Sequence, residues 1–144
     1  MIESEEDQMN LNCSVTLTFN GTCEAAFRHY EQLFGTKLEF ILTWGESPMA
    51  KEAPPEWAKK ILYARLNIGG MSIAGGDALP GTDEQRSGFH LMISVDNAAE
   101  GEKLFRALAD QGKVTFPLQE TFWAARYGQL TDRFGIPWEI NCER

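Results

Sequence analysis

A strand–helix–three-strand pattern runs twice along this chain, and that doubling restricts the fold more than any other feature. The first copy opens with Val15, Leu17 and Phe19 alternating with Thr16 and Thr18, the period of a strand with one face on a core. Asn20-Gly21-Thr22 turns the chain. Ala26, Phe27, Tyr30, Leu33 and Phe34 then recur at helical spacing up to Gly35, which stops the helix. Residues 38–44 read as a second strand, and residues 60–67 and 71–74 as a hairpin across Ile68-Gly69-Gly70.

The second copy repeats this order. Phe89, Leu91, Ile93 and Val95 alternate with His90, Met92 and Ser94. Asp96-Asn97 caps a helix, with Glu100 completing a capping-box pattern with Asn97; Leu104, Phe105 and Leu108 face the core and Gly112 ends it. Residues 114–116 make a short strand, and residues 122–141 a hairpin that turns at Asp132-Arg133-Phe134-Gly135. Two βαβββ units of this kind can curve their sheets into one trough with the helices outside. The expectation is an α+β fold in a single domain over residues 11–144, with modules at about 11–78 and 88–144 and a polar linker near 78–87.

Residues 45–60, with Pro48 and Pro54-Pro55, form no regular element and read as a long loop ending in a short helical turn. Such loops often serve as lids, and Trp44 and Trp57 bracket this one. Either tryptophan packs at a sheet edge or the two close over a flat ligand.

Charge and cysteines narrow the function. A net charge of −8 argues against nucleic acid, because phosphate neutralisation needs clustered Lys and Arg. Glu3, Glu5, Glu6 and Asp7 crowd residues 1–10, which read as a solvated acidic tail and not as a secretory signal. No apolar run approaches the roughly 20 residues that span a bilayer, so no membrane partner is expected. Three cysteines, Cys13, Cys23 and Cys142, include no close pair and suit a reducing cytoplasm.

The last hairpin holds the most informative side chain. Trp138, Ile140 and Cys142 fall on one face of its second strand, and Pro137, Glu139 and Asn141 on the other. Glu139 thus sits mid-strand between apolar neighbours, where a carboxylate needs a partner or protonates. His90 is the best partner in the chain. The pair reads as a catalytic or ligand-binding site, or more plainly as a structural hydrogen bond. Met92 shares the face of His90, so the pocket should be partly apolar.

Trp123, Arg126 and Tyr127 form a second patch, in which Arg126 offers a bidentate fork for a carboxylate or phosphate beside aromatic walls. The alternative is that both aromatics are core and Arg126 pairs with a surface acid such as Glu120. His29 lies off the core stripe of its helix, facing solvent. Cys23, near a helix N-terminus, is a candidate for a lowered thiol pKa, although no nearby base accompanies it. Cys142 is packing. Gly69-Gly70 and Gly75-Gly76 open no helix after a strand, so they make no dinucleotide or methyl-donor loop.

Particular segments resemble the vicinal oxygen chelate superfamily, which includes glyoxalase I, bleomycin-resistance proteins and extradiol dioxygenases. Gly88-Phe89-His90-Leu91-Met92-Ile93-Ser94-Val95-Asp96-Asn97 is similar to the strand and cap that supply a metal-binding histidine. Asp132-Arg133-Phe134-Gly135-Ile136-Pro137-Trp138-Glu139-Ile140 is similar to the hairpin that supplies a metal-binding glutamate. The segments Phe19-Asn20-Gly21-Thr22-Cys23-Glu24-Ala25-Ala26 and Tyr127-Gly128-Gln129-Leu130-Thr131-Asp132-Arg133-Phe134-Gly135 resemble the PhnB-like branch.

The resemblance implies a metal site with one ligand from each of four strands. His90 and Glu139 match two positions, while the others fall near Ser14 or Thr16 and at Ser72, whose hydroxyls are poor ligands for zinc or nickel. It also implies a homodimer. Three readings follow: a protein binding a small, partly apolar molecule on Thr16, Ser72, His90, Met92, Trp123, Arg126, Tyr127 and Glu139; a lyase or dioxygenase with a divalent metal cofactor; or a sequestering protein of the resistance kind. PhnB-like domains often carry a 3-demethylubiquinone methyltransferase label, which these glycines do not support.

Overall fold

The computed structural model describes residues 11–82 and 86–144, so the acidic tail reading, on residues 1–10, lies outside the described residues. Each half is one βαβββ unit. The first contains β1 (Val15–Phe19), α1 (Cys23–Phe34), β2 (Phe40–Thr43), β3 (Ile61–Ile68) and β4 (Met71–Asp77). The second contains β5 (Leu91–Val95), α2 (Ala98–Ala109), β6 (Lys113–Gln119), β7 (Arg126–Thr131) and β8 (Pro137–Cys142). The strands form two four-stranded sheets, sheet A in the order β1-β4-β3-β2 and sheet B in the order β5-β8-β7-β6. In each sheet the first strand runs parallel to the last, and the remaining pairs are antiparallel.

Alternation decides which face of each sheet is buried. Leu17 and Phe19 of β1, Ile73 of β4, and Trp138, Ile140 and Cys142 of β8 enter a single core with Cys23, Ala26, Phe27 and Tyr30 of α1 and Phe105 and Leu108 of α2. The intervening residues, among them Thr16, Thr18, Met92 and Ser94, lie on open faces. At Gly75 and Gly101 the helices approach too closely for a side chain: an added Cβ would lie 2.6 Å from the Phe27 ring or 2.1 Å from Cys142 Sγ.

Two buried aspartates join elements that are far apart in sequence. Asp77 Oδ1 accepts hydrogen bonds from the Gly21 and Cys23 amides at 2.9 and 3.0 Å, and Oδ2 accepts one from Ile61 at 2.8 Å. Thr22 makes no side-chain cap, so a carboxylate on β4 satisfies the first turn of α1. In the second unit, Asp132 Oδ1 accepts from the Phe134 and Ile136 amides at 2.9 and 3.0 Å and holds the turn before β8. Its Oδ2 accepts from Trp138 Nε1 at 2.9 Å and from the Tyr30 hydroxyl on α1, which ties the two units together.

Several local expectations need correction. α2 ends at Ala109, the left-handed residue after it is Gln111 (φ 60°), and Gly112 is required because a Cβ there would lie 2.3 Å from the Thr131 carbonyl oxygen. Phe89 precedes β5 and is exposed. Residues 45–60 hold two short 3₁₀ turns and no longer element. Trp44 Nε1 donates to the Asp77 carbonyl, Trp57 Nε1 to the Ala78 carbonyl and Lys60 Nζ to the Gly21 carbonyl, at 3.1, 3.1 and 2.9 Å. These bonds pack both tryptophans at the end of sheet A, the edge-packing alternative for the pair.

Candidate functional site

The open face of sheet B is built in rows across its strands. Pairing sets Met92 beside Glu139, Glu139 beside Gln129, and Gln129 beside Phe116. The next row holds Ser94, Asn141, Tyr127 and Gln119. His90, one residue before β5, follows the parity of Met92. Its Nδ1 lies 3.8 Å from Glu139 Oε1, with the two side chains 31% and 24% exposed. That separation is longer than a direct hydrogen bond.

Glu139 is held from its other side. The Tyr127 hydroxyl donates to Oε2, and Gln129 Nε2 donates to the same hydroxyl at 2.9 Å. Burial raises the Tyr127 pKa above its ordinary range and the Glu139 carboxylate raises it further, against a lowering by the Gln129 amide. The phenol therefore stays a donor at neutral pH. One carboxylate oxygen is committed to Tyr127, and the other faces His90.

An aromatic wall continues from this group. Trp123 meets Tyr127 edge-on with centroids 5.1 Å apart, Phe122 meets Trp123 at 4.8 Å, and Phe116 meets Tyr127 at 5.8 Å. Trp123 Nε1 donates to Asn141 Oδ1 at 3.1 Å. Phe122 is 90% exposed, Met92 57% and Trp123 48%. Gln129, Asn141, Phe116 and Phe122 were not singled out from the sequence. Asn141 has the same strand parity as Glu139, and the hairpin register places Gln129 opposite Glu139.

The remaining expected site residues lie elsewhere. Arg126 pairs in register with buried Cys142, so it occupies the helix-side face; its Nε sits 3.5 Å from Glu102 Oε1 on α2. The expected guanidinium fork between Trp123 and Tyr127 is therefore absent, and Glu120 pairs with Arg144 instead. Thr16 lines a concavity of about 430 Å³ with Leu17, Thr18, Thr82, Arg86, Ser87 and Phe89. Ser72 lines another, with Asn12, Tyr63 and Arg65 among its walls. Neither concavity includes His90, Met92 or Glu139. His29 is half-buried, with Nδ1 3.2 Å from an Arg133 nitrogen, and burial and that guanidinium lower its pKa. For Cys23 the expectation reverses: burial and the neighbouring Asp77 push the thiol well up.

The metal set implied by the resemblance does not close within this chain. Aligning the paired row Val15–Phe19/Ile73–Asp77 on Leu91–Val95/Trp138–Cys142 sets Ala74 against Glu139 and Ser14 against His90. The counterpart of Glu139 is thus a methyl group, and Ser72 lies two residues away from that position. Among the described residues no group of three or more His, Cys, Asp or Glu side chains is arranged to hold a metal ion. One imidazole and one carboxylate oxygen make a poor divalent site.

Comparison with known proteins agrees with this architecture. The model of the Glyoxalase/Bleomycin resistance protein/Dioxygenase superfamily matches residues 14–140. Protein YjdN of Escherichia coli (strain K12) is 35% identical over 133 residues, covering 87% of this chain and 90% of YjdN. The crystal structure of protein PA1353 from Pseudomonas aeruginosa is similar with a TM-score of 0.83 at 43% identity, covering 93% of this chain and 98% of that one. A PhnB protein from Bacillus cereus shares the fold with a TM-score of 0.79 at 19% identity, over 92% and 99% of the two chains. The chain belongs to the glyoxalase/bleomycin resistance protein/dioxygenase superfamily, with a PhnB protein among its structural neighbours.

Proposed function

We propose that the protein binds a small, partly apolar molecule on the open face of sheet B and that His90 and Glu139 hold or move a proton on it. The observation that carries this reading is the meeting of His90 Nδ1 and Glu139 Oε1 at 3.8 Å on a half-exposed face. A pair serving only as core packing would be shut off from solvent. With Glu139 fixed by Tyr127, the carboxylate can orient the imidazole as a general base toward a ligand lying over Met92 and Trp123. A divalent metal enzyme of the glyoxalase type fits less well, because the donor set is short by the positions that Ser14 and Ala74 fill. A sequestering protein, needing no acid–base pair, remains the competing reading of the same face.

The open faces of both sheets also favour a homodimer in which a second copy covers them. The free thiols, with Cys23 and Cys142 buried and Cys13 exposed, support a reducing compartment such as the cytoplasm.

The test is a thermal-shift screen of metabolites on the full chain, followed by His90→Ala. Binders of the native state raise the melting temperature by mass action. The expected result is a hit whose chemical turnover is lost in His90→Ala while its binding stays within about threefold, since the imidazole is one contact among several. A ligand retained unchanged by native protein and variant alike identifies a sequestering protein. Metal analysis of protein purified without chelator checks the lyase reading: stoichiometric metal removed with loss of turnover would displace the metal-free proposal.

A further inference from the structure

We infer that the site takes a small organic cation, an ammonium or amidinium group on a flat apolar body; this rests on the proposed binding face and specifies its occupant. Three features of the face converge on a cation.

First, the one formal anion on the two central rows, Glu139, is only partly covered, and among the described residues no Lys or Arg forms an ion pair with it. Met92, Gln129, Phe116, Ser94, Asn141, Tyr127 and Gln119 complete those rows, and none is basic. Arg126, the nearest arginine along β7, faces α2 and pairs with Glu102. Lys113 pairs with Thr131 in the next row, on the outer strand of the sheet. Among the described residues, the charge of Glu139 is met by hydrogen bonding from Tyr127 and by His90 at 3.8 Å.

Second, the walls offer π faces and a thioether. Phe122, Trp123, Tyr127 and Phe116 form a chain of edge-to-face contacts, in which Tyr127 is buried while Phe122, Trp123 and Phe116 are exposed to a ligand. A cation over an aromatic face gains electrostatic attraction that a neutral isostere lacks, most strongly over tryptophan. Trp123 Nε1 is already bonded to Asn141, so its remaining contribution to a ligand is the ring.

Third, an anion would find little here. The one side-chain cation the sequence suggested for this patch points to the opposite face, and the chain as a whole carries −8. A carboxylate or phosphate ligand would approach Glu139 with no guanidinium to offset the repulsion.

The test uses three matched probes on the full chain, phenethylamine, phenethyl alcohol and 3-phenylpropionate, titrated calorimetrically at low salt. The expected result is binding of the amine at least about tenfold tighter than the alcohol, with the carboxylate weakest, a ratio that falls as salt is added. In Glu139→Gln, checked for an unchanged melting profile, the amine should lose its advantage over the alcohol while the alcohol binds as before. Trp123→Ala provides an independent variant, in which the amine should weaken more than the alcohol. Alcohol or carboxylate binding as tightly as the amine, or an amine preference that survives both substitutions, overturns the cation assignment but leaves the binding face standing. Failure of all three probes to bind at their solubility limits overturns both.

Discussion

Tyr127 couples the stability of sheet B to the geometry of its open face. It buries its ring, donates to Glu139 and accepts from Gln129, so Tyr127→Phe removes a bond to a charged acceptor and frees the carboxylate. The expected loss is about 1–2 kcal/mol, read from urea unfolding at neutral pH. Its folded pKa is raised, mainly by burial, so the folded state holds the phenolic proton more tightly than the unfolded chain. That contribution is complete below the ordinary tyrosine pKa of about 10 and is lost as pH climbs through the raised value. The difference in stability between the native protein and Tyr127→Phe should therefore be flat from neutral to about pH 10 and shrink above it. A difference that grows with alkalinity would contradict the assigned direction. The cysteines give a second residue-scale prediction. Cys13 is exposed, whereas Cys23 and Cys142 are buried and burial raises both thiol pKa values. A colourimetric thiol reagent at neutral pH should modify Cys13 alone in the native protein and all three cysteines after unfolding.

At the scale of elements, alternation and turn chemistry were readable because they are local. β1 matches its expected limits, α1 stops at Gly35 in the left-handed conformation (φ 64°), and Gly69-Gly70, both with positive φ, make the tight β3–β4 turn. Asn97 Oδ1 accepts from the Glu100 amide at 3.0 Å, as its capping pattern implied. Partners distant in sequence were not readable. Asp77 reaches Cys23 across 54 positions and Asp132 reaches Tyr30 across 102, and no local pattern marks either contact. The face of Arg126 was recoverable in principle: once Cys142 is placed with Trp138 and Ile140, the hairpin register sends Arg126 to the same buried side. What hid it was the irregular stretch before β7, where parity is undefined until pairing begins. Asp132 joins α1 to the β7–β8 hairpin, so its removal should be felt in both units. Asp132→Ala leaves Tyr30, Trp138 and two backbone amides without their acceptor and should cost about 3–5 kcal/mol. Tyr30→Phe removes one donor and should cost about 1–2 kcal/mol. In a double-mutant cycle by denaturant unfolding, Tyr30→Phe should cost little more once Asp132 is gone; full additivity would mean the two do not act together.

At the scale of the whole molecule, one core is shared and two faces are left open. α1 packs on sheet A and also reaches Trp138 and Phe134 of the second unit, with ring centroids 5.4 and 6.3 Å from Tyr30. The helix-side surfaces are thereby covered within a single chain. The opposite surfaces carry Phe40, Tyr63, Met92, Phe116, Phe122 and Trp123, all exposed. Apolar side chains gathered on sheet faces, as opposed to scattered singly, mark a surface that meets a partner or a ligand. The edge strands add to this. β2 and β6 lie at the outer edges of their sheets, and β6 is exposed along nearly its whole length, with Pro117 interrupting its pairing. A second copy is the partner proposed here, because closed symmetry lets one open face cover another without leaving a further surface free. Size-exclusion chromatography with light scattering should give twice the chain mass at micromolar concentration, and the melting temperature should rise with protein concentration. If the protein runs as a monomer at that concentration, with a melting temperature independent of it, the exposed aromatics belong to the ligand site alone. The cation-binding titration would then have to account for the whole of that apolar surface.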